Sequence, residues 1–145
     1  METLRFGQFK SVIKLQLLWL AVAILFHLVS LIRVSMGMAS LSTSPPMMSI
    51  VQLPIIFVPI LYLGWKSYLV SYAFINGLVF GLLFYMGHIP RIMMYFSPEG
   101  ISAYPSAIGF YGGLLINTFG IAVAFYGSYL ALRLAWKQKY NHPVD

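Results

Sequence analysis

His27 sits inside the uncharged run LQLLWLAVAILFHLVSLI, which lies between Lys14 and Arg33. An ionisable side chain in such a run marks a candidate functional site, because its burial must be compensated by a partner or a task. On a helix, Gln16, Leu20, Ala23, His27 and Ser30 recur at three- and four-residue steps and share one face. An imidazole there can relay a proton, touch a ligand or supply one metal ligand. A neutral ring hydrogen-bonded across helices to Asn or Ser is the plainer reading and the preferred one. Partners for His27 are Asn117, Tyr85 and His88, and Asn76 is a second amide within an apolar run. His27, Ser30, Asn76, Tyr85, His88 and Asn117 are therefore the candidate ligand- or partner-binding set.

Thioethers form the second group with chemistry. Apart from Met1, every methionine falls within residues 36–48 or 86–94: Met36, Met38, Met47, Met48, Met86, Met93 and Met94. Thioether and imidazole are soft ligands suited to Cu(I), so Met36, Met38, Met93 and Met94 with His88 would compose a copper site. Two histidines on different helices would also admit haem. The spacing matches no established copper cluster, and methionine equally serves as adaptable filler of protein contact surfaces. The expectation is no metal and no cofactor, with Met36, Met38, Met47, Met48, Met93 and Met94 forming a docking face. Arg91 and Glu99 join that face within GHIPRIMMYFSPEG (87–100), where Glu99 is the only internal acid able to pair with Arg33 or Arg91. An exposed pair of this kind contributes little stability and mainly orders its loop.

Several chemistries have no residues to carry them. Cysteine is absent, which removes disulfides, thiolate metal sites and cysteine nucleophiles. The three acids are Glu2, Glu99 and Asp145, so no apolar run holds a carboxylate to couple a proton to a cationic substrate. No P-loop, nucleophile elbow, HExxH helix or paired-carboxylate site occurs. No enzymatic activity is expected.

The elements that must position these groups follow from the charges. Only 8% of residues are charged and the mean hydropathy is +0.83, against about 25% charged in soluble domains. The bases flank apolar runs instead of forming one face, so the net charge of +6 reflects topology and not nucleic-acid binding. A membrane helix needs about 20 mostly apolar residues, which predicts four spans near 14–33, 47–64, 68–88 and 107–132. A long outer loop over 88–107 joins the last two. The first span is too long for a signal peptide, whose apolar core is about 7–15 residues. One side holds Arg5, Lys10, Lys14, Lys66, Arg133, Lys137 and Lys139; the other holds only Arg33 and Arg91. The positive-inside rule then places both termini in the cytoplasm of a cell-membrane protein. The predicted fold is a single all-α domain, a four-transmembrane-helix bundle.

Small residues allow close helix approach in lipid. Gly109, Gly113, Gly120 and Gly127 form a stripe with Asn117, Ala124 and Ala131 on the fourth span, and Ala73, Gly77 and Gly81 form one on the third. The sequence predicts that these two helices pair, with Gly77 and Gly120 at similar depth; self-association through the stripe is the alternative. Pro54 and Pro59 predict a kink in the second span. The preferred function is an accessory subunit that docks other membrane components through the outer face and glycine-lined helices. The alternatives are an oligomeric transporter or channel around His27, and a copper- or haem-handling protein.

Overall fold

The computed structural model describes residues 2–141 and the side chains of residues 6–140, so the Arg5 side chain lies outside the described residues. All regular structure among them is helical: α1 (Glu2–Ser35), α2 (Pro46–Trp65), α3 (Leu69–Leu83), a π-helical turn (Phe84–His88), α4 (Ile89–Tyr95), a 3-10 turn (Gly100–Ala103) and α5 (Ala107–Asn141). Four segments are long and apolar enough to cross a membrane: Phe6–Ser35, Pro46–Trp65, Leu69–Tyr95 and Ala107–Tyr140.

Two expected boundaries move. α1 and α5 run well past 14 and 132, because a charge ends an apolar run without ending a helix. Their extensions are amphipathic: Phe9, Val12 and Ile13 of α1 and Leu134 of α5 are buried in one core, with Ala135 packed against it. The loop expected over 88–107 is also largely helical. α3 continues through the π-helical turn into α4, and only short links flank the 3-10 turn. Pro90 explains the wide turn. Its ring would clash with the carbonyl of Met86 in a regular α-helix. The Ile89 N–H instead reaches the Phe84 carbonyl five residues back.

α5 packs most extensively on α3 and α1, and α1 on α2; of the four neighbouring pairs, α2 and α3 touch least. The expected α3–α5 pairing is present, but not its register. Gly77 faces Ser128 of α5, whereas Gly120 faces the Trp19 ring of α1. The offset from position 120 to 128 is roughly 12 Å along the helix. Gly81 meets nothing, and the Gly127 position is filled by Val12 and the Tyr72 hydroxyl. Gly109 and Gly113 approach Leu41 and Arg91, so the α5 stripe is used within the chain. α2 remains one helix through Pro54 and Pro59.

Buried polar groups tie the lower half together, the end where α1 begins and α5 ends. Tyr72 Oη donates to Gln16 Oε1 (2.6 Å), and Gln16 Nε2 donates to Asn76 Oδ1 (3.0 Å). Asn76 Nδ2 donates to the Ala124 carbonyl and to Ser128 Oγ, both at 2.9 Å. This joins α1, α3 and α5 without an unpaired amide. Above it, Trp19, Phe57 and Phe80 pack mutually with ring centroids 4.8–5.0 Å apart.

The opposite end, which we call the cap, is closed by residues 36–45 and 84–106. Ser30 Oγ lies 2.9 Å from Ser40 Oγ and accepts the Leu41 N–H at 2.9 Å. That holds the buried Leu41 over α5, where its backbone occupies the space a side chain at position 109 would need.

Candidate functional site

A cavity of about 550 Å³ lies between the aromatic triad and the cap. Each main helix contributes a wall: Ala23 and His27 from α1, Leu53 and Phe57 from α2, Val79 and Leu83 from α3, and Ile116 and Asn117 from α5. The volume falls within the ~300–1,000 Å³ usual for sites of drug-sized ligands.

Polarity is graded along the cavity. Trp19, Phe57 and Val79 line it deep in the bundle; His27, Ser42, Ser49, Gln52 and Arg91 line it towards the cap. It also opens sideways. Gln52 and Ile56 of α2, Leu82 of α3 and Met86 of the π-helical turn line it and are exposed, so the gap between α2 and α3 is a lateral mouth.

Arg91 is held in the wall by three devices. The π-helical turn resets the helical phase just before it. Its Nη2 donates to Tyr104 Oη at 2.9 Å, with the guanidinium carbon 5.3 Å from the Tyr104 ring centroid. Gly113 supplies the berth: a Cβ there would lie 2.6 Å from Nη1. Arg91 Nη1 and His27 Nδ1 are nonetheless buried without a hydrogen-bond partner. Such groups cost about 1–3 kcal/mol each, more when charged, and in a folded protein each calls for an explanation.

The candidate set therefore divides. His27 and Asn117 share the cavity as expected, but His27 makes an edge contact with Phe26 (5.5 Å), and its Nδ1 lacks the expected Asn or Ser partner. Ser30 serves the cap and Asn76 the buried network. Tyr85 is 70% exposed. His88 is buried with Nε2 3.4 Å from Thr118 Oγ1, on the far side of its turn from the exposed Met86. Its Nδ1 is a third buried atom without a partner.

On the expected docking face, Met36, Met38, Met47, Met48 and Met93 are exposed and Met94 is half-buried. The expected copper ligands thus split between an inward His88 and outward thioethers. Glu99 is exposed, and Arg91 turns to Tyr104 instead; Arg33 Nε donates to the Ala39 carbonyl at 3.2 Å. Sequence reasoning missed Arg91 and Gln52 as cavity residues. For Arg91 a signal was present: Pro90 directly precedes it and foretells a disturbed helical phase.

Fold and site define a class: a helical bundle with four membrane-length segments around one amphipathic cavity. No family model, curated protein or solved structure matches this chain.

Proposed function

We propose that this chain is an integral membrane protein, with both termini in the cytoplasm, that binds a small molecule in the cap-side cavity as a non-enzymatic carrier or binding subunit. The cavity carries this reading, walled by His27 and Arg91, each of which keeps one buried nitrogen without a hydrogen-bond partner. A bundle packed only for support would fill such a volume or satisfy those nitrogens. The orientation rests on the seven bases at one end against two at the other.

Native mass spectrometry of protein purified in mild detergent tests the binding. A small-molecule adduct should appear on the wild type and disappear in Ala23→Phe, which fills the cavity. Adduct-free spectra from both, with no ligand-dependent gain in melting temperature, would overturn it.

One observation favours a second reading, the accessory subunit. Met36, Met47, Met48 and Met93 are 54–68% exposed at the cap, an adaptable surface for another membrane protein. Photo-crosslinking from position 93 in native membranes should then yield one discrete heterologous adduct; only lipid adducts would remove this reading.

A further inference from the structure

Arg91 makes a specific demand on whatever fills the cavity. A guanidinium stays charged at any physiological pH, and a charge removed from water needs a counter-charge. The chain has three acids against nine bases. The one internal acid, Glu99, is exposed and is not the partner of Arg91, which bonds Tyr104. Among the described residues no carboxylate pairs with Arg91, so the cavity is suited to a counter-charge brought from outside the chain.

The rest of the cavity describes the remainder of that molecule. Below the polar end the walls are aliphatic and aromatic, and the floor is Trp19 and Phe57, which pack on Phe80 beneath. The mouth between α2 and α3 faces sideways, where the proposed insertion puts hydrocarbon. We infer that the cavity takes a single-chain amphiphile with an anionic head, a long-chain carboxylate, which enters laterally from the bilayer and sets its head against Arg91. This rests on the binding function proposed above.

Two details select the head and the chain number. Tyr104 takes one of the five N–H donors of Arg91, and Nη1 is buried against Gly113. The wall thus offers one fixed positive charge, which matches the single charge of a carboxylate, whereas a phosphate monoester carries about −1.5 to −2 at pH 7. A cavity of about 550 Å³ suits one acyl chain, while a two-chain phospholipid would leave its second chain outside.

Trp19 lines the cavity and is 2% exposed, whereas Trp65 and Trp136 are 54% and 65% exposed. With Trp65→Phe and Trp136→Phe, Trp19 becomes a local reporter that a brominated chain quenches only on entering. The probes are 9,10-dibromostearate, its neutral alcohol and its phosphate analogue. Saturable quenching by the carboxylate is expected, at least tenfold tighter than by the alcohol, with Arg91→Gln removing that difference.

Equal quenching by carboxylate and alcohol in the wild type would sink the anionic-head assignment while leaving cavity binding intact. Tighter binding of the phosphate would overturn the carboxylate. No saturable quenching by any probe would remove both this inference and the binding function. The probe comparison is also made on the chain with all three tryptophans, where the saturable component belongs to Trp19, so a misfolded variant does not decide the result.

Discussion

At the scale of single residues, two kinds of buried polar group coexist. Asn76 is fully engaged by Gln16, Ala124 and Ser128. Asn76→Ala strands the Gln16 amide and Ser128 hydroxyl and should cost about 1–3 kcal/mol, read as a lower melting temperature in detergent. Tyr72→Phe removes the donor to Gln16 and should cost a similar amount. The wall pair at His27 and Arg91 is the opposite case: each keeps one buried nitrogen without a partner, and the bond from Arg91 to Tyr104 offsets only part of the cost of holding a charge there. Arg91→Gln should leave melting unchanged or raise it in the absence of ligand; a drop as large as that of Asn76→Ala would make Arg91 a structural residue. His27 and Asn117 were readable from their place on inward helical faces. Arg91 was not, because a charge that ends an apolar run looks like a loop residue until the helix is seen to continue.

At the scale of elements, glycine position decides more than glycine pattern. Gly109 and Gly120 abut the Leu41 backbone and the Trp19 ring, and that ring is fixed by donation from Nε1 to the Ile116 carbonyl at 2.9 Å. Gly109→Ala and Gly120→Ala should both destabilise strongly, by several degrees or more in melting temperature. Gly77→Ala and Gly81→Ala have room and should be neutral or slightly stabilising, since Ala is favoured over Gly in a helix by about 1 kcal/mol. A uniform effect across all four would contradict the packing. The helical pairing was readable because small residues recur at helical spacing, but its register was not. The π-helical turn with α4 lengthens the third segment beyond its visible apolar run, which shifts the depth of Gly77 relative to Gly120. That turn is itself testable. Deleting Gly87 removes the extra residue and rotates everything after it by roughly 100°, carrying Arg91 away from Gly113. The protein should lose carboxylate binding, and its melting temperature should fall as the Pro90 ring meets the carbonyl four residues back.

At the scale of the whole molecule, the number and order of the membrane-length helices followed directly from charge spacing, because long uncharged runs are what a spanning helix requires. The cavity did not follow, since it arises from how little α2 and α3 touch. The native absence of cysteine makes the orientation directly measurable. Single cysteines at Ser67 and Met93 should react oppositely with an impermeant maleimide on intact cells, with only position 93 labelled. Labelling at position 67 instead would invert the proposed topology.

The lower half of the bundle is sealed twice, by the aromatic triad and by the amide network beneath it. The cavity is therefore a cup and not a conduit: with the proposed insertion, what enters from one leaflet has no route to the other while Trp19, Phe57 and Phe80 stay in contact. Such a protein would hold or present a membrane-borne molecule on one side of the bilayer, and no steady current should flow through it in a planar membrane.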